Sequence, residues 1–168
     1  TGTVVMVTLV VTGFMAGLLR NVQQVQAASL DNINGIVEIS KDAGKTWIVV
    51  EDGEGLTSGD GLRTYTDSGV MLTFPDGSVV AVGEEAEIFV STLEYQKRVL
   101  TLELLQTAGE TTHWVVPVRE GGKYLVNTVT GTAQVHGTVF NVNVPDTELA
   151  RFAVTDGLVE VSNDGNEV

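Results

Sequence analysis

The chain has 168 residues, enough for one domain with a substantial core, and its 22 acidic and 9 basic residues give a net charge of −13. This charge argues strongly against nucleic acid as a partner, since phosphate binding needs clustered lysine and arginine, and against contact with an anionic membrane surface. The chain has no cysteine, which excludes disulfides, cysteine-bound zinc and thiol chemistry.

The first element is an apolar run. Residues 1–19, TGTVVMVTLVVTGFMAGLL, carry no charge. A helix of this length would span about 28 Å, close to the ~30 Å hydrocarbon core of a bilayer. A secretory signal peptide would need a charged start, which is missing, and a buried pair of strands would also suit the abundant valine and threonine. We interpret residues 1–19 as a single transmembrane helix.

Two glycines in this run have the spacing of a helix-packing motif. Gly13 and Gly17 form a small-xxx-small pattern, which lets two membrane helices approach closely, although membrane helices are also rich in glycine for no such reason. Arg20 ends the run, and the positive-inside rule would put that end in the cytoplasm. Residues 20–34 are mostly polar and are predicted to be a linker.

From Gly35 the pattern changes to short β-rich runs separated by glycine turns such as DAGK, SGDG, PDGS, AGET and EGGK. About twelve such runs are present, and none shows helical periodicity. We therefore predict that residues 35–168 form one all-β domain. Nineteen glycines against three prolines fit many tight turns.

The run VHGTVFNVNV, residues 135–144, shows why glycine matters in this domain. Phe140, Val142 and Val144 share one parity, and the intervening asparagines share the other, as in a strand with one buried face. Gly137 interrupts the run, which indicates a bulge, a corner or a close approach of two backbones. We predict a corner between two strands, with no catalytic role.

The first and last strands of the domain have similar sequences. GIVEISKD at 35–42 and GLVEVSND at 157–164 match at five positions with the same spacing. Either two amphipathic strands have similar turns, or the domain opens and closes with equivalent strands in a pseudo-symmetric architecture. Neither strand contains proline, so both are candidate edges for addition of a partner strand, with Val159 and Val161 as contact residues. The alternative is that both strands pair within the domain.

No catalytic, metal or cofactor site is predicted. His113 and His136 lie in or beside strands without other ligands at suitable spacing, so structural roles are favoured. Glu84, Glu85 and Glu87 form a solvated turn rather than an acid–base pair. Serines lack a nucleophile-elbow context, and SNDGNE, residues 162–167, has only part of a calcium loop. Trp47 and Trp114 fall in strand runs; if exposed, either could anchor a partner or a glycan.

Several motifs, in the order in which they occur along the chain, resemble those of the FecR family. They include Gly59-Asp60 followed by Thr64, and the turn F-x-D-G-S at residues 74–78. Gly-Thr-x-Phe follows at residues 137–140, and FAVTDGLVEV closes the set. The resemblance covers residues 35–161. It implies an all-β, elongated, β-helix-like or sandwich-like domain outside the cytoplasmic membrane.

The resemblance implies a protein-binding role without enzymatic activity or cofactor. We expect a single-pass, membrane-anchored protein whose extracytoplasmic β domain serves as an accessory or structural subunit of a membrane or envelope complex. One alternative is a transmembrane regulator of the anti-sigma type, whose cytoplasmic segment is absent from this sequence. A second alternative is an extracellular filament or envelope subunit. In each case the partner is a protein, and oligomers are possible.

Overall fold

A computed structural model describes residues 27–163, in which every regular element is a β-strand. The strands are β1 (Ala28–Asn34), β2 (Val37–Ser40), β3 (Ile48–Val49), β4 (Gly55–Leu56), β5 (Gly61–Thr64), β6 (Gly69–Thr73), β7 (Val79–Val82), β8 (Glu87–Gln96), β9 (Val99–Trp114), β10 (Lys123–Asn127), β11 (Thr132–Val135), β12 (Val139–Asp146), β13 (Leu149–Asp156) and β14 (Val159–Ser162). The prediction of an all-β domain is confirmed.

All fourteen strands belong to one curled sheet with two halves. The first half-sheet runs in the order β3-β2-β5-β8-β9-β10-β11-β14. The second half-sheet runs in the order β4-β1-β6-β7-β9-β12-β13. Every pairing is antiparallel except that of β9 with β10. The sandwich-like alternative therefore fits, whereas the coil of parallel strands that defines a β-helix is not formed by residues 27–163.

The long strand β9 belongs to both half-sheets. Its first part pairs with β8 and β10, and its second part pairs with β7 and β12. Gly109 marks the change between them: its φ is 79°, and a Cβ there would lie 2.4 Å from the Cα of Ala86. The AGET motif, predicted to be a turn, is thus an irregular point inside a continuous strand, where only glycine allows the backbones to approach so closely.

One hydrophobic core lies between the half-sheets. Leu30, Leu72 and Val80 come from the second half-sheet, and Ile39 and Leu62 come from the first. All five side chains are fully buried or nearly so. Alternate residues of β6, β7, β10 and β12 point into this core, as the period of two requires.

The predicted parity of β12 is confirmed. Phe140, Val142 and Val144 are buried, while Asn141 and Asn143 are only partly covered. The parity holds along the strand because each successive side chain points to the opposite face of the sheet.

The predicted linker at 20–34 is wrong for its last seven residues, which form β1. Ala28 and Leu30 are fully buried, and β1 lies between β4 and β6. The predicted transmembrane helix at 1–19 lies outside the described residues. Within residues 27–163, no helix is long and apolar enough to cross a bilayer.

Candidate functional site

The closing strand β14 is an edge of the first half-sheet. It pairs on one side with β11, in a register that sets Val159 opposite Val135 and Val161 opposite Ala133. Val159 packs partly against the core, whereas 54% of Val161 is exposed. No other described strand pairs with β14, so its second side leaves backbone groups available. Gly13 and Gly17, the other predicted contact residues, lie outside the described part of the chain.

The opening strand, the second candidate edge, is paired within the domain. β2 lies between β3 and β5, so both of its sides are paired. The edge there is β3, whose Ile48 and Val49 are 57% and 65% exposed. The similar sequences at 35–42 and 157–164 therefore do not make equivalent strands, because β2 is internal and β14 is external.

An aromatic and charged cluster lies near the β3 edge. The Arg63 guanidinium lies 4.4 Å from the ring centre of Trp47 and 5.5 Å from that of Tyr65. Arg63 Nε and Tyr65 Oη donate hydrogen bonds to the same oxygen of Glu38, at 2.7 and 2.9 Å. The bond from Arg63 lowers the pKa of Glu38. Arginine, tryptophan and tyrosine are the side chains most enriched at protein–protein contacts. Trp114, 43% exposed, lies on the second half-sheet.

His113 lies in a buried chain of hydrogen bonds. The Gln106 amide nitrogen donates to the carbonyl oxygens of Gly109 and Val142, at 2.8 and 3.3 Å, so its amide oxygen must accept. Thr111 Oγ1 donates to that oxygen at 2.7 Å. The hydroxyl must then accept from His113 Nε2, 2.8 Å away, which leaves Nδ1 to accept from the Tyr124 hydroxyl at 2.9 Å.

The directions of these bonds fix the state of the ring. His113 is neutral with its proton on Nε2, and it stacks on Phe140 with ring centres 4.5 Å apart. Burial lowers the pKa of His113 from 6.5 to about 3. The structural role predicted for this histidine is supported, because solvent does not reach it. His136 lies at the end of β11, 3.4 Å from Glu160.

The predicted carboxylate cluster makes local hydrogen bonds. Glu84 accepts from the backbone nitrogen of Asp67, Glu85 from the Thr66 hydroxyl, and Glu87 from the Thr107 hydroxyl. The first two bonds join the loop at 66–67 to the turn at 84–85, whereas the third joins β8 to β9, so Glu87 lies in a strand and outside the predicted turn. Among residues 27–163, no group of three or more potential metal ligands converges. Most of the SNDGNE stretch lies outside the described residues.

One cleft of about 420 Å³ stands out by its charge. Arg98, Arg119 and Lys123 line it, together with a single carboxylate, that of Asp76. Its remaining walls are Tyr95, Leu100, Val116, Pro117 and Val118. No motif in the sequence indicated this cleft, because its cations come from the β8–β9 turn, the loop before β10, and β10 itself.

The corner at Gly137 supports one wall of this cleft. Gly137 has a φ of 111°, and a Cβ there would lie 2.7 Å from the Cα of Pro117. Thr138 and Val115 exchange backbone hydrogen bonds of 3.0 and 3.2 Å, and the Thr138 hydroxyl donates to the carbonyl oxygen of Leu158 at 2.8 Å. The predicted corner is confirmed, and it holds the loop that follows β9 in place.

The F-x-D-G-S turn supports the same loop from the other side. Asp76 accepts hydrogen bonds from the backbone nitrogen and the hydroxyl of Ser78, both at 2.9 Å. The backbone nitrogen of Val116 in turn donates to the Ser78 hydroxyl oxygen at 3.2 Å. Two motifs that are far apart in the sequence thus position the residues 115–118.

Comparison with known proteins gives one family match and one similar solved structure. The FecR protein family matches residues 60–160. Among solved structures, a "putative anti-sigma factor" from Parabacteroides distasonis is 25% identical, with a TM-score of 0.51 over 63% of this chain. The match covers 48% of that protein, so this chain corresponds to about half of its length. A comparison with curated proteins found no match. Since the family match spans more than half of the chain, the chain belongs to the FecR family.

Proposed function

We propose that this chain is the protein-binding β domain of a transmembrane signalling regulator of the anti-sigma type. The observation that carries the proposal is the FecR match over residues 60–160, joined with structural similarity to a protein described as an anti-sigma factor. The role is regulatory binding rather than catalysis. The uncharged run at 1–19 supports a single membrane span, with the β domain on the extracytoplasmic side.

We further propose that the partner protein adds a strand to β14. Its outer side is unpaired within residues 27–163, and Val161 presents an exposed apolar side chain beside it. Strand addition gains its affinity from backbone hydrogen bonds, while side chains on alternate positions supply specificity. The acidic net charge favours a partner strand flanked by basic residues.

Proline substitutions at neighbouring positions test this mode of binding. In an antiparallel strand, successive N–H groups point to opposite sides. Of Glu160→Pro and Val161→Pro, therefore, one removes a bond to β11 and the other removes a donor from the free edge. Thermal unfolding identifies the edge-facing variant as the one with the smaller loss of stability. A Val161→Ile variant, which keeps the backbone donor, the β-branched shape and the apolar side chain, is the matched control.

The readout is transcript abundance in the native host. We expect the edge-facing proline variant to change the same transcripts as deletion of the gene, and Val161→Ile to leave them unchanged. If deletion changes no transcripts but disrupts a membrane complex, the chain is an accessory subunit and the regulatory proposal is wrong. If deletion changes transcripts and neither proline variant does, the regulator binds through another surface, and β14 is not the contact.

A further inference from the structure

The cleft lined by Arg98, Arg119 and Lys123, called the basic cleft below, concentrates positive charge in an acidic protein. Of the nine basic residues in the chain, Arg98, Arg119 and Lys123 line one cavity, and Lys97 precedes one of them. Lys123 forms an ion pair of 2.9 Å with Glu103. Within residues 27–163, neither Arg98 nor Arg119 has a carboxylate at ion-pair distance. Two guanidinium groups are therefore available to a ligand.

The single carboxylate of the cleft, that of Asp76, forms no ion pair with these cations within residues 27–163. Both oxygens of Asp76 accept hydrogen bonds from Ser78, which holds the carboxylate toward its own turn. A guanidinium group binds a carboxylate or a phosphate through two parallel hydrogen bonds, and such charge-assisted bonds are about twice as strong as neutral ones. The cleft thus offers the donors for an anionic group.

The turn that presents Arg98 is strained. Gln96 pairs with Val99 in a two-residue hairpin, and the central residues Lys97 and Arg98 have φ values of 51° and 66°. Turns with two positive φ values strongly prefer Asn-Gly or Asp-Gly. A lysine and an arginine here lower stability relative to those residues, and backbone strain of this kind collects at functional sites.

The shape of the cleft selects the ligand class. Its volume of about 420 Å³ suits a small molecule rather than a folded partner. Leu100, Val116, Pro117 and Val118 provide apolar walls beside the guanidinium groups. We propose that this cleft binds a small organic anion, with a carboxylate or phosphate group at Arg98 and Arg119 and an apolar body against the loop that follows β9.

Calorimetric titration of the full chain with phenyl phosphate tests the proposal. Inorganic phosphate lacks the apolar body and phenol lacks the charge, so both serve as control ligands. We expect phenyl phosphate to bind with a Kd at least tenfold below that of phosphate, and phenol to show no binding. Raising the salt concentration should weaken the binding of phenyl phosphate, because partly exposed charges are screened.

Arginine variants show whether binding occurs in this cleft. Arg98→Gln and Arg119→Gln should each raise the Kd for phenyl phosphate about tenfold, the effect of one charge-assisted hydrogen bond. Arg151→Gln, which removes an exposed arginine from β13, should leave it unchanged. Equal affinity in all three variants, or no binding of phenyl phosphate at about 10 mM, where even a Kd of 1 mM would be detected, overturns the proposal.

A variant with a relaxed β8–β9 turn distinguishes loss of binding from loss of folding. Replacing Lys97 with Asn and Arg98 with Gly relieves the strained turn, so the double variant should unfold about 2–4 °C higher than the native chain. The same variant should lose affinity for phenyl phosphate. Retained affinity in this more stable variant would show that Arg98 takes no part in binding.

Discussion

Acid should destabilise this domain through His113. The ring is neutral in the folded chain because burial lowers its pKa to about 3, whereas an unfolded histidine has a pKa of 6.5. Between these two values the unfolded state binds the proton and the folded state does not. The free energy of unfolding is therefore highest above pH 6.5 and falls as the pH decreases toward 3.

The magnitude follows from the two pKa values. Linkage gives about 1.4 kcal/mol per pH unit below 6.5, so the domain should be about 2 kcal/mol less stable at pH 5 than at pH 7.5. Burial explains why the folded state resists protonation, because a charged imidazolium would lie away from solvent. A proton on Nδ1 would face the Tyr124 hydroxyl, which donates to that atom in the neutral state, 2.9 Å away.

Urea unfolding at pH 7.5, 6 and 5 measures this effect. His113→Gln should be less stable at every pH, since it loses the stacking on Phe140, but it should show little change over this range. His136→Gln, which removes the exposed histidine that follows β11, is the matched control variant. A native chain with equal stability at pH 7.5 and 5, or a His113→Gln variant that retains the slope, would refute the linkage to His113.

Three further substitutions test close contacts seen in the fold. Gly109→Ala should cost about 2–5 kcal/mol of unfolding free energy, because it combines a positive φ with a Cβ 2.4 Å from Ala86; urea midpoints measure the loss. Gly137→Ala should lower stability by about 1–3 kcal/mol and also raise the Kd for phenyl phosphate, since the new methyl group displaces Pro117. Arg63→Lys should cost about 1 kcal/mol by thermal unfolding, because lysine cannot stack on Trp47 as the guanidinium does or reach Glu38 Oε2 through two nitrogens.

The alternation of apolar and polar residues predicted most strands correctly. It did not predict which strands lie at the edge of the sheet or where each strand begins and ends. The pattern of Phe140, Val142 and Val144 predicted both the strand and its buried face. The strand β1 was missed because the apolar residues of ASLDNIN, Ala28, Leu30 and Ile33, do not keep one parity and so show no period of two. The turn predicted at AGET was wrong because glycine marks close approach as well as turns, as Gly109 does.

The basic cleft could not be predicted from the sequence. Arg98 and Arg119 are separated by the whole of β9, and they meet because the hairpin tip and the loop before β10 lie at the same end of the sheet. The Lys97-Arg98 turn was also missed, because it contains none of the residues that usually mark a two-residue hairpin. The corner at residues 137–140, by contrast, could be predicted from the sequence, since the positive φ of Gly137 requires glycine.

The pairing of β9 in both half-sheets limits how the domain can unfold. Each part of this strand has neighbours on both sides, contributed by chain segments that precede it and segments that follow it. Neither half-sheet can separate without breaking pairings of the shared strand, so the amides of β9 should exchange with solvent only through global unfolding. The outer strands β3 and β14 can detach while β9 stays intact, which would let the edge of the domain exchange neighbours without loss of its core.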